Sequence, residues 1–177
     1  SHLLKEVAAV NRVSTLLLSV ICAITLVGCG GDDLSGPPTL RLGSDECAEC
    51  GMIIGEERCS SAVLVERDGT REYLCFDDIG CMIDHSNSHQ SEYRVVSTFV
   101  HDHSTREWCD ALAATFVASN SIKPPTPMSS GLIAFRSAAA ASEACQKCNG
   151  RTLAFDALPD ARRSWLLART HPDLAPK

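Results

Sequence analysis

The stretch Ala62-Val63-Leu64-Val65-Glu66, then Asp68-Gly69, then Arg71-Glu72-Tyr73-Leu74-Cys75-Phe76 sets the fold. Its two apolar runs are rich in β-formers. The Asp-Gly pair between them is a tight-turn signal, so the segment reads as a hairpin. Asp77 follows as a helix cap. Ile79, Met82 and Ile83 then fall at i, i+3, i+4 on one apolar face. Gly80 inside that helix costs about 1 kcal/mol relative to alanine, so the helix needs tertiary support. Arg94 to Val100 returns as a strand.

Further along, the order repeats. Ala113 to Val117 is a short strand, Pro124-Pro125-Thr126-Pro127 a loop, Gly131 to Phe135 a second strand. The alanine-rich Ser137 to Lys147 is helical, and Thr152 to Phe155 closes the set. Both units read ββαβ, with an aromatic at the strand-to-helix step, Phe76 and Phe135. The expected fold is α+β, with two related ββαβ units forming one domain. That domain is assigned to residues 45–157, enough for one hydrophobic core. Residues 158–177 form a polar C-terminal tail with a short helix at Ala161 to Arg169.

The other end carries an address. Lys5 and Arg12 give positive charge, an apolar run extends from Val13 to Val27, and Leu26-Val27-Gly28-Cys29 follows. Charged region, apolar region and small residue before cysteine are the parts of a secretory signal. The run is shorter than the roughly 20 residues a membrane span needs. Leu-Val-Gly-Cys resembles a lipobox, so residues 1–28 are expected to be a lipoprotein signal peptide and Cys29 the lipidated residue. Residues 29–44, with Gly30-Gly31-Asp32-Asp33 and Pro37-Pro38, read as a flexible tether from the membrane. Gly30 in place of aspartate after Cys29 favours the outer membrane, on its periplasmic face. The chain has 16 basic and 22 acidic residues, a net charge of −6. Such a balance argues against nucleic acid as a partner.

Ten cysteines in 177 residues is the strongest compositional signal. Exported cysteines are held in disulfides, bind metal or do redox work. Disulfides among Cys59, Cys109, Cys145 and Cys148 are one expectation. Asp45-Glu46-Cys47-Ala48-Glu49-Cys50-Gly51-Met52 is the most informative stretch. A C-x2-C brings two thiols to one centre across a tight turn. Gly51 permits a left-handed backbone, which lets Cys50 and Met52 turn sulfur toward the same point. Thiolate and thioether are soft ligands and select Cu(I) over harder ions. Met128 stands in the loop Thr126-Pro127-Met128-Ser129-Ser130-Gly131, an unusual place for a core methionine; the alternative is a cap over a hydrophobic cluster. Cys75 and Cys81 flank a helix start, where a thiol pKa falls. Met82 reads as core. His85 with His89, and His101-Asp102-His103, are further candidate ligands, although His89 falls in a loop-like Ser-Asn-Ser-His-Gln and H-x-H also occurs on strand ends without function.

Cys47-Ala48-Glu49-Cys50-Gly51-Met52, then Phe76-Asp77-Asp78-Ile79-Gly80-Cys81-Met82, then Val100-His101-Asp102 leading to Trp108-Cys109-Asp110-Ala111, then Thr126-Pro127-Met128 leading to Ala134-Phe135, resemble the NosL family of copper-binding lipoproteins. The four blocks occur in the family's order from about Asp45 to Phe155. The resemblance implies a two-unit ββαβ fold, Cu(I) binding, and delivery of copper to a periplasmic cuproenzyme, nitrous oxide reductase. Carried over by motif, Cys50, Met52 and Met128 are the implied ligands. The family often has Met-Gly where this chain has Met128-Ser129, and Cys145 and Cys148 lie outside the pattern.

A carrier needs an exposed site of low coordination, because closed four-ligand sites hold their metal. Two other classes compete with it. A thiol–disulfide protein would use Cys47 and Cys50, although redox C-x-x-C pairs usually open a helix after a strand. An enzyme would use Cys75-x2-Asp78, which resembles part of the organomercurial lyase site and requires a second thiol in the same pocket. No catalytic triad, phosphate loop or carboxylate pair supports an enzyme otherwise.

Overall fold

The computed structural model describes residues 34–170. The expected signal segment and Cys29 lie outside the described residues. Strand β1 (Ser61–Arg67) and strand β2 (Thr70–Phe76) pair antiparallel, from Ser61↔Phe76 to Arg67↔Thr70. Asp68 (φ 52°) and Gly69 (φ 77°) turn the chain, the left-handed pair that a two-residue hairpin matching strand twist requires. Helix α1 (Ile79–His89) follows, and β3 (Arg94–His101) returns on the other side of β1. A short β4 (Trp108–Asp110) extends the sheet beyond β3, giving the order β2-β1-β3-β4.

The second sheet repeats this plan. It contains β5 (Thr115–Ala118), β6 (Leu132–Phe135), helix α2 (Ala138–Lys147) and β7 (Arg151–Leu153), in the order β6-β5-β7. In each unit the first strand is central, the second and third flank it, and the helix leaves the second strand. The fold is therefore α+β with two related ββαβ units. Central strands must be apolar on both faces. Ala62 to Val65 and Phe116-Val117 are accordingly buried. A bridge between Asp102 and Ala134, with His103 N–H on Ala134 O (2.8 Å), ties the end of β3 to β6.

Three local expectations change. The cap of α1 is Asp78 and not Asp77: Asp78 is still extended (φ −141°, ψ 138°), and its Oδ1 accepts the Gly80 N–H at 2.7 Å. Asp77 is thereby left free for other work. Helix α1 also continues through His89, past the Ser-Asn-Ser run. The C-terminal helix α3 spans Leu158–Thr170 and starts earlier than composition suggests, because Leu158, Ala161 and Arg162 are buried. Arg162 reaches Asp84 of α1 with Nε at 3.0 Å and Nη2 at 2.6 Å. Removing either partner would strand a charge in a largely buried place, at a cost of about 3 kcal/mol.

Gly80 shows where the helix gets its support. A Cβ there would sit 2.6 Å from Ser130 Cβ and 3.1 Å from Arg162 Cζ. The first turn of α1 is overlaid by the loop after β5 and by α3, and only glycine admits both. Upstream of Ser44 the chain is already tied to the domain: Leu34 O accepts from Arg71 Nη1 (3.0 Å) and Gly36 O from Tyr73 Oη (2.5 Å).

Candidate metal centre

The segment 45–54 folds back on itself. Cys47 N–H donates to Met52 O, Gly51 N–H to Cys47 O and Ile54 N–H to Asp45 O, each at 2.8 Å. Gly51 takes φ +71°, the left-handed conformation its sequence position called for. Ala48 N–H donates to Cys75 O (2.8 Å), which fastens this loop to the end of β2. The next two residues after Cys75 lead to Asp77, and α1 then brings Cys81 in its first turn.

Four donors converge as a result. One ligand atom each from Cys47, Cys50, Asp77 and Cys81 lies within 4.8 Å of the others. Thiolates held about 2.3 Å from a metal stand about 4 Å apart, so this spacing suits one ion without large movement. Cys47, Asp77 and Cys81 are buried, whereas Cys50 is exposed. The cluster thus has a buried floor and one sulfur at the surface.

Electrostatics select which sulfur is ionised. The Cys81 thiol donates toward Cys47, and the backbone N–H groups of Cys50, Asp77 and Glu49 add to it, pulling the Cys47 pKa down to about 4. Cys81 is pushed up because it keeps the shared proton, and burial adds to this. Burial raises Cys50, and the neighbouring Cys47 and Asp77 charges work the same way. Burial, then the Cys47 thiolate, lifts Asp77 to about 7. A cation entering the cluster meets one thiolate already formed. Further thiolates form by releasing protons, which couples binding to pH.

The methionines occupy different settings. Met52 sits on the C-x2-C loop and is half exposed, at 51%. Met128 is partly buried against the main core cluster. Its N–H donates to Asp78 Oδ2 at 3.0 Å, so the capping carboxylate of α1 also holds the Met128 loop beside the residue next to Asp77. Cys47, Asp77 and Cys81 enter the cluster although the ligand set read from motifs was Cys50, Met52 and Met128. The recoverable signal was Cys75-Phe76-Asp77-Asp78-Ile79-Gly80-Cys81: once Asp78 takes the cap, Asp77 and Cys81 stand on either side of one helix start.

The remaining candidates separate from this centre. Cys75 is half-buried on β2 and stays outside the four-donor cluster, with burial raising its pKa to about 11. Both carboxylate oxygens of Asp78 accept backbone N–H groups. Among the described residues, Cys75 and Asp78 do not fall with a second thiol in one donor group, the arrangement an organomercurial-lyase-like site requires. His101 is buried, with Nδ1 2.7 Å from Ser60 Oγ and its ring stacked on Trp108, and burial pulls its pKa to about 4. His103 packs against Phe135. The eight described cysteines are all free, in place of the disulfides expected among Cys59, Cys109, Cys145 and Cys148. Cys109 Sγ instead donates to Val100 O (3.4 Å), and Cys59 packs with Val117, Ile133 and Phe135 in the second core cluster, where Cys145 and Cys148 join its edge.

The molecule combines a two-unit α+β fold with a half-buried cluster of thiols and a carboxylate whose spacing could hold a metal ion. The NosL family model matches residues 40–162, and the chain belongs to that family. A relative, the copper-binding lipoprotein NosL of Stutzerimonas stutzeri, is 28% identical over 168 residues, covering 86% of this chain and 84% of the relative. Among solved structures, the copper chaperone NosL from Shewanella denitrificans superposes with a TM-score of 0.55 at 21% identity, over 68% of this chain and 96% of the other. That likeness speaks for the fold. Neither relative is named as an enzyme.

Proposed function

We propose that this chain is a lipid-anchored Cu(I) carrier of the cell envelope that delivers copper to a periplasmic cuproenzyme, nitrous oxide reductase. The observation carrying this reading is the cluster itself: three thiols and a carboxylate within 4.8 Å, with Cys50 at the surface. Soft donors favour Cu(I). An exposed thiol permits a recipient's ligand to attack the ion before the donor lets go. Cys50, Met52 and Met128 are the proposed exchangeable ligands, with Cys47 and Cys81 as the thiols beneath them. The relatives' names, copper-binding lipoprotein and copper chaperone, support both the cargo and the anchor. Anchoring runs through Cys29, on the periplasmic face of the outer membrane.

The test is anaerobic Cu(I) titration of the reduced soluble chain against a competing chelator. One tightly held Cu(I) per chain is expected. Cys50→Ser, Met52→Leu and Met128→Leu each weaken it by about tenfold, the equivalent of about 1.4 kcal/mol. Parental affinity in all three variants would place the site elsewhere. Cu(I) transfer to apo nitrous oxide reductase tests the client, and loss of the membrane fraction in Cys29→Ala tests the anchor.

A further inference from the structure

Glu49, which lies between Cys47 and Cys50 in the sequence, reaches His85 of α1. Its Oε2 lies 3.1 Å from His85 Nδ1. His85 and His89 are spaced i, i+4 on that helix, so their rings share one face. The rings stack at 4.3 Å between centroids and 27° between planes. Ligand atoms of Glu49, His85 and His89 all lie within 4.8 Å of one another. We infer that Glu49, His85 and His89 form a second metal site, chemically distinct from the thiol cluster, for a borderline divalent transition-metal ion such as Zn(II) or Cu(II).

The donor set decides the ion class. Two imidazoles and a carboxylate suit Zn(II), Cu(II) and Ni(II), whereas the thiols suit Cu(I). Ligands at about 2.0–2.1 Å from a tetrahedral ion stand about 3.3 Å apart, close to the 3.1 Å His85–Glu49 contact. Packing holds the His85 ring in place. His85 lies between Phe76 (5.4 Å) and Tyr93 (6.2 Å), and its side chain is 12% exposed. Ligating imidazoles usually have a carboxylate as outer partner. Glu92 Oε1, 2.8 Å from His89 Nδ1, is placed for that role. Two imidazolium rings at stacking distance repel, whereas two neutral rings sharing a cation do not. Three protein ligands leave a coordination position open, the arrangement of exchangeable sites.

This site also acts on the first one. Glu49 is flanked in sequence by Cys47 and Cys50, while Cys81, His85 and His89 succeed each other along α1 at four-residue steps. An ion on Glu49, His85 and His89 clamps the thiol-bearing loop onto the thiol-bearing helix.

The experiment uses the reduced soluble chain saturated with Ag(I), which occupies thiols without redox chemistry, and then titrates Co(II). One Co(II) per chain is expected, with visible d–d absorption and no thiolate charge-transfer band. Glu49→Gln and His89→Ala, both at surface positions, abolish that Co(II) and leave Ag(I) uptake unchanged. No Co(II) bound by the Ag(I)-saturated parent, or full retention in both variants, overturns the site. Absence of Ag(I) uptake would count against the carrier reading alone, since Co(II) then reads this site directly through the same two variants.

Discussion

The two ββαβ units share a topology and differ at the same step. In the first, Phe76 ends β2 and Asp77-Asp78 leads into α1; in the second, Phe135 ends β6 and Arg136-Ser137 leads into α2. Both aromatics are buried. Both caps accept a helix N–H: Asp78 from Gly80, Ser137 from Ala140. The residue between is where they part. Asp77 joins three thiols, whereas Arg136 donates to Trp108 O (2.8 Å) and pairs with exposed Glu107 (3.3 Å). Three residues past each cap stands Cys81 in one unit and Ala140 in the other. One backbone plan thus makes a donor cluster or a structural clamp according to two side chains, which is why a fold by itself does not name a function.

Paired substitutions at these equivalent steps break or sharpen the comparison. The largest difference is expected at the caps. Asp78→Ala removes the α1 cap and leaves the Met128 N–H unpaired, costing about 3 kcal/mol. Ser137→Ala loses only a cap, about 1 kcal/mol. Urea unfolding measures both, and equal losses would contradict the role given to Asp78. Next comes the second helical residue of each unit. Gly80→Ala is expected to destabilise by about 2 kcal/mol through overpacking against Ser130 and Arg162, although alanine is the better helix former. Ala139→Gly, on an exposed turn, costs about 1 kcal/mol by propensity alone. A Gly80→Ala chain more stable than the parent would mean that α1 is not overlaid as described.

Cys81→Ser is expected to weaken Cu(I) binding about tenfold, or about 1.4 kcal/mol. Cys145→Ser and Cys148→Ser in the second unit leave it unchanged. A loss of affinity on changing Cys145 or Cys148 would put copper outside the proposed cluster. The smallest effect concerns Asp77. Folded, its carboxyl keeps a proton to about 7; its ordinary value is 3.8. Folding therefore takes up a proton between those values, and stability falls as pH rises through that window. Asp77→Asn should stabilise the metal-free chain at pH 8 by about 1 kcal/mol and make no difference near pH 3. Thermal melts across pH would show whether the gain grows with alkalinity, as required, or shrinks.

Much of the fold was legible because its signals are local. Asp68-Gly69 between two β-rich runs named the hairpin, and the same order after residue 113 named the repeat. The cap slipped by one residue because two aspartates in a row are chemically interchangeable as caps; the extended backbone at Asp78 and its second bond to Met128 made the choice. Helix α1 outran its composition because His85 and His89 gain partners, Glu49 and Glu92, that polar Ser-Asn-Ser does not advertise. The candidate site was legible at Cys50 through its C-x2-C spacing. Cys47 and Cys81 could be flagged as reactive types but not joined, since 34 positions separate them and loop and helix meet through long-range contacts, Ala48 N–H on Cys75 O and Glu49 on His85, that spacing does not show.

The central proposal is that sulfur of the 47–52 loop, of the start of α1 and of the Met128 loop holds Cu(I). Copper K-edge X-ray absorption on the Cu(I)-loaded chain reads the donors directly. The account predicts an inner shell dominated by sulfur that loses one sulfur in Cys50→Ser and none in Cys148→Ser. A shell of nitrogen and oxygen donors, or one indifferent to Cys50, would contradict it.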